Sequence, residues 1–133
     1  MLESLRLRVQ NALENVDEAT LSSSGPGGIQ AGFFPCQAGG LTMYFLVPSY
    51  SDILFNLESE PAVVVTTPRW QLEGEAEVCD LAQAPADLDL VRSPRAAGCA
   101  LVAVRCRRIH LNWPEGWGYR ESIDCNQATG GRL

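Results

Sequence analysis

The sequence predicts a mainly β fold with peripheral helices, closed or nearly closed into an antiparallel barrel. Three observations carry this expectation. Residues 70–78 alternate, with Trp70, Leu72, Gly74, Ala76 and Val78 on one face and Gln71, Glu73, Glu75 and Glu77 on the other. That period of two is the mark of a strand with one wet side. Two apolar runs, 29–36 and 41–47, flank a Gly39-Gly40 turn and read as a hairpin. Finally, long helical periodicity is confined to the N-terminus, and consecutive hairpin strands with few helices favour closure of a single sheet.

At the N-terminus, Leu2, Leu5, Val9, Leu13 and Val16 recur at three- and four-residue steps, which predicts a helix over 2–17. Residues 19–24 are β-tolerant and lead into Gly25-Pro26-Gly27-Gly28. That cluster is a turn and not a phosphate cradle, because no helical pattern follows it. The hairpin comes next. Ile29, Ala31 and Phe33 share a face of its first strand; Leu41, Met43, Phe45 and Val47 share a face of its second. Ser51 suits an N-cap and Asp52 a first helical turn, so a short helix begins there and stops before Pro61. Residues 62–67 form a β-branched run of the buried-strand type. Residues 84–98 read as a short helix and a loop, broken by Pro94 and Gly98. A long strand over 100–112 places Val102, Val104 and Cys106 on one face, then passes the apolar role to Ile109 and Leu111 on the opposite parity. The switch predicts a bulge or a passage between two packing environments. From 113 onward no period is visible.

The chain has 133 residues, enough for one domain with a core that hides roughly two-thirds of the unfolded surface. A net charge of −6 argues against nucleic acid as a partner, since phosphate contacts need clustered cations. All ten basic residues are arginine. The absence of lysine removes Schiff-base chemistry and the phosphate-loop lysine, so any anion must be held by Arg, backbone N–H groups or hydroxyls. The single histidine, His110, excludes a three-His zinc centre, and no metal site is expected. His110 is also the sole imidazole base, and no G-x-S-x-G elbow exists, which argues against a hydrolase; it reads most simply as a partly exposed strand residue. The five cysteines contain no C-x-x-C pair and read as buried reduced thiols of a cytosolic protein. No signal-peptide pattern is visible and no apolar run approaches the ~18 residues of a membrane span, so the expectation is a soluble cytoplasmic protein with no membrane partner.

Glu73, Glu75 and Glu77 read as the solvated face of their strand. Arg105, Arg107 and Arg108 either clamp an anion or pair with those glutamates, and ion pairing is the favoured reading. Trp113, Trp117 and Tyr119, in a Gly- and Pro-containing stretch, suit stacking on a planar ring, plugging a barrel end or lining a dimer interface; the residues leave these open.

Taken in order, GPGGIQAGFF, LTMYFLVPSYSDILFNLESEP, AVVVTTPRWQLEGEAEV and VAVRCRRIHLNW resemble the FMN-binding split-barrel superfamily, whose best-known branch is pyridoxamine 5′-phosphate oxidase. The resemblance spans roughly 19–124. It implies a six-stranded antiparallel split barrel, a homodimer, and two FMN sites at the subunit interface. Flavin hydride chemistry would follow, with haem or deazaflavin handling in some branches. Matching positions imply cofactor contacts from Val47, Ser49 and Ser51, from Trp70 and Gln71, and from Trp113 and Arg120. No catalytic residue is assigned. The pattern departs at the phosphate: the AGFFPC strand carries no cation, Ile53 stands where a lysine is expected, and Asp52 adds a negative charge. The resemblance then requires an arginine such as Arg69 or Arg120, or one from the partner subunit. Its alternative implication is a homodimeric split barrel that has lost flavin and serves as a small-molecule-binding, structural or regulatory module.

Overall fold

The computed structural model describes residues 2–115 and 118–125. Among them run helices α1 (Leu2–Glu14) and α2 (Asp52–Leu57) and strands β1 (Glu18–Ser23), β2 (Gln30–Gly39), β3 (Thr42–Pro48), β4 (Ala62–Thr66), β5 (Trp70–Cys79), β6 (Cys99–Asn112) and β7 (Tyr119–Asp124). All neighbouring strands are antiparallel. Their order is β3-β2-β1-β4-β5-β6-β7, and a further β3–β6 pairing closes the first six into a barrel, with β7 outside it.

The split follows from the length of β6. Its first part, Cys99–Arg105, pairs with β3, and its last part, Arg108–Asn112, pairs with β7. The changeover sits at a bulge. Opposite β5, Glu73 faces Arg108 but Gly74 faces Cys106, leaving Arg107 as the extra residue. Burial inverts there, with Leu101, Val102, Val104 and Cys106 buried before it and Ile109 and His110 after it. The parity switch in the sequence therefore marks a real bulge. Gly74 belongs to it: a Cβ there would lie 2.6 Å from the Arg105 carbonyl oxygen, so only glycine allows the two backbones to approach.

Phe45, Leu21, Met43, Leu72, Val65 and Ile109 fill the barrel, each fully buried. Leu13 and Val9 bring the α1 stripe against them. Trp70 fastens the helix, its indole N–H donating to the Ala12 carbonyl at 3.2 Å, and Arg8 pairs with Glu121 of β7. The latter contact holds the Glu121 carboxyl below its usual range and the Arg8 guanidinium above its own.

Three elements differ from the sequence reading. Helix α1 stops at Glu14, because residues 15–17 turn the chain into β1, which supplies the sixth barrel strand. Residues 81–98 hold three 3-10 turns (Leu81–Gln83, Asp89–Arg92 and Pro94–Ala96) in place of one helix, since prolines 85 and 94 interrupt the ladder an α-helix needs. β7 occupies a stretch without visible period because only Ile123 turns into the core.

The thiol expectation is corrected at one pair. Cys106 and Cys125 form a disulfide across the β6–β7 hairpin, with Cα atoms 5.9 Å apart, a separation inside the span such a bridge needs. Antiparallel pairing of Arg108 with Asp124 brings them together. Cys36, Cys79 and Cys99 are free; burial pushes the Cys36 thiol up to about 12 and the Cys79 thiol upward as well. No helix among the described residues is long and apolar enough to cross a membrane.

Candidate functional site

Strand register lays two rows of side chains across the outer face. The first runs Phe33, Thr20, Thr66, Gln71, His110, Ser122 from β2 to β7. The second runs Ala31, Ser22, Val64, Glu73, Arg108, Asp124. A cleft of about 690 Å³ lies over the second row, with Ser22, Ile29, Val64, Glu73, Arg108 and Asp124 among its walls.

His110 sits at the centre of the polar part. It is 9% exposed rather than half-open, because β7 lies alongside and covers it, a strand the sequence pattern did not disclose. Its Nε2 is 2.7 Å from Glu73 Oε2, its Nδ1 is 2.6 Å from Ser122 Oγ, and the Tyr119 ring stacks on it with centroids 4.4 Å apart. Arg105 and Arg107 both pair with Glu75, at 2.9 and 3.2 Å. The ion-pair reading of the arginines holds for these two, and their exposure limits each pair to less than about 1 kcal/mol.

The positions suggested for a cofactor divide into two groups. Gln71, Trp113 and Arg120 gather around the His110 end of β6. Gln71 faces His110 in register. Trp113 is 48% exposed, and its backbone N–H donates to Gly118. Arg120 is exposed on β7. Trp70 belongs to the same end but points inward at 2% exposure; its area and its N–H are committed to α1, so it offers no ring to a ligand. Trp117 lies outside the described residues. Val47, Ser49 and Ser51 sit at the other end, where β3 meets the start of β6 through Pro48 and Cys99. Val47 is fully buried and can offer a ligand only its backbone. Ser49 is exposed, and its N–H donates to the Gly98 carbonyl. From Cys99 to His110 is roughly 35 Å along the strand, so one subunit does not bring the two groups into a single small-molecule site.

The phosphate of FMN does not fit the turn end. The Ser51 hydroxyl already accepts the Ile53 N–H at 3.2 Å as a helix cap. Ile53 is buried at 2% in the core, and Asp52 stands exposed beside it. Arg95, close in sequence to the Gly98 that meets Ser49, is paired with Glu18. The strand end carries an exposed indole, an amide and a guanidinium, groups with the chemistry to receive a flat ring. No group of three or more His, Cys, Asp or Glu side chains suited to a metal occurs among the described residues.

No family model matches the chain, and no curated protein does. Solved structures do. General stress protein 26 from Bacillus anthracis superposes with a TM-score of 0.63 at 13% identity, over 88% of this chain and 96% of that one. A putative pyridoxamine 5′-phosphate oxidase from Listeria innocua gives 0.59 at 15% identity, over 84% and 98%. An F420 reductase gives 0.57 at 16% identity, over 74% and 94%. At these identities the likeness concerns the path of the backbone, and that path agrees with the six-strand closure described above. The chain has the split-barrel fold of the pyridoxamine 5′-phosphate oxidase-like proteins.

Proposed function

We propose that the protein works as a homodimer that holds a flat conjugated ring of the flavin type between subunits, in the manner of a flavin-dependent oxidoreductase. The observation that carries the reading is the separation of Val47, Ser49 and Ser51 from Gln71, Trp113 and Arg120 along β6. Two such half-sites become one site when a second copy brings its turn end to the first copy's strand end. The exposed Ile29 and Phe33 of the outer face, 86% and 65% accessible, supply apolar surface for that association. The names of similar structures, an oxidase of pyridoxamine 5′-phosphate and an F420 reductase, support a ring cofactor of this class. When bound, such a cofactor supplies the redox chemistry. This chain's part is to stack on the ring through Trp113 and to hydrogen-bond its edge through Gln71 and Arg120.

A second reading, a dimer that has lost flavin and binds another small molecule, is favoured by the turn at Ser51, Asp52 and Ile53, which carries a negative charge and offers a phosphate no cation. Purification separates the two. Yellow protein, or quenching of added FMN fluorescence that weakens in Gln71→Ala and Arg120→Ala, supports the first reading. Colourless protein without quenching sinks it. Elution at the monomer mass sinks the dimer in both.

A further inference from the structure

Outside the proposed ring contacts, the outer face assembles three groups that the sequence keeps far apart. We propose that Ser122, His110 and Glu73 form a serine-nucleophile site for small unhindered esters. Proton inventory supports the assignment. Glu73 as a carboxylate only accepts, so the bond of 2.7 Å places the ring proton on Nε2. In the neutral ring Nδ1 then carries the lone pair, and the 2.6 Å contact runs from the Ser122 hydroxyl to it. A hydroxyl donating to an imidazole whose other nitrogen is fixed by a carboxylate is the arrangement that activates a serine. The arrangement is held in place. His110 is almost buried, Tyr119 stacks on its ring, and the Cys106–Cys125 disulfide fixes the far end of the hairpin. Ser122 itself is open to solvent.

The chemistry closes on these groups and water. Ser122 Oγ attacks the ester carbonyl carbon while its proton passes to His110 Nδ1. The bond from carbon to the leaving alkoxide oxygen breaks, and that oxygen departs as an alcohol carrying the Nδ1 proton. Water then attacks the acyl-serine, gives its proton to Nδ1, and the serine recovers that proton as the acid leaves. Nε2 keeps its proton throughout, and Glu73, accepting from it, acts as a positioning residue. Arg108, two residues from His110 on the same face, is the cation available to the developing oxyanion, and the neighbouring cleft with Ala62 and Val64 in its wall suits a short acyl chain.

The test uses the full chain without added flavin, so that its outcome is independent of the cofactor reading. A phosphonyl fluoride probe followed by intact-mass and peptide mapping should give one adduct, on Ser122, and 4-nitrophenyl acetate should turn over. Ser122→Ala should abolish the adduct, and His110→Asn should slow turnover on the order of 10²-fold. Glu73→Ala should slow it as well and remove the strongly deshielded imidazole N–H signal from the proton NMR spectrum, a signature that a purely structural Glu73 would not carry. Matching thermal melts of Ser122→Ala and the parent keep the comparison valid. The absence of an adduct, an adduct elsewhere, or equal turnover in Ser122→Ala overturns the proposal.

Discussion

The two ends of the barrel use polar side chains in opposite ways. At the turn end Asn56 is fully buried, and its bonds serve the fold. Nδ2 donates to Ser23 Oγ at 3.1 Å and to the Gly28 carbonyl at 3.0 Å, while Oδ1 accepts the Gly27 N–H at 2.8 Å. Ser51 likewise gives its oxygen to the cap of α2. At the strand end Gln71, Glu73, His110 and Ser122 come from three strands and face outward, and His110 bonds to both Glu73 and Ser122. Buried polar groups saturated by backbone stabilise a loop; polar groups paired at a surface retain chemistry to offer.

The largest expected effect lies where this contrast is weakest. Trp70 belongs to the strand end but behaves as core, so Trp70→Ala should lose about 3 to 5 kcal/mol in guanidinium unfolding. A loss below about 1 kcal/mol would return Trp70 to the ligand-binding group. Reduction of Cys106–Cys125 comes next. With the cysteines 19 positions apart, the chain-entropy model gives about 3 kcal/mol, and hydrogen exchange should rise in residues 119–125 while β1 to β5 stay protected. Uniform exchange across the barrel would contradict a local role for the bridge.

The contrast itself is tested by two matched truncations. Asn56→Ala leaves the Gly27 N–H and its neighbours without partners and should cost about 2 to 3 kcal/mol, whereas Ser122→Ala at the surface should cost no more than about 1 kcal/mol. Equal costs in denaturant titrations would erase the distinction between the ends. The smallest effect concerns pH. Cys36 is held protonated in the fold up to about 12, while an unfolded thiol ionises near roughly 8.5. Its contribution is complete below the unfolded value and is lost as pH rises from there toward 12, because the unfolded chain binds fewer protons in that window. Cys36→Ala should flatten the alkaline limb of the stability curve; an unchanged limb assigns it to other groups.

What the sequence disclosed was local. Alternation in β5 and the parity switch in β6 are properties of neighbouring residues; the first survives in the structure as far as Ala76, beyond which Val78 is exposed, and the second survives whole. β1 was legible only as β-tolerant, since its alternating burial is carried by Ala19, Leu21 and Ser23, of which only Leu21 is strongly apolar. β7 carried no pattern because, among the described residues, it is an edge strand paired with β6 alone. The assembly around His110 and the Cys106–Cys125 bridge both depend on how β6 and β7 align, information that no spacing motif contains. Val47, Trp70 and Ser51 show the converse: the family resemblance implied a ligand contact, while in this chain burial or capping occupies the side chain.

Arg107 is one inserted residue, yet it acts as a phase shift for everything after it. Were the bulge ironed out and Arg107 drawn into regular pairing, the alternation of β6 would continue unbroken, carrying the imidazole into the greasy interior and Ile109 out to water. The exterior array of Gln71, His110 and Ser122 would then cease to exist without any of its members being altered. A chemistry-bearing surface on this barrel thus depends on a count of residues as much as on their identity.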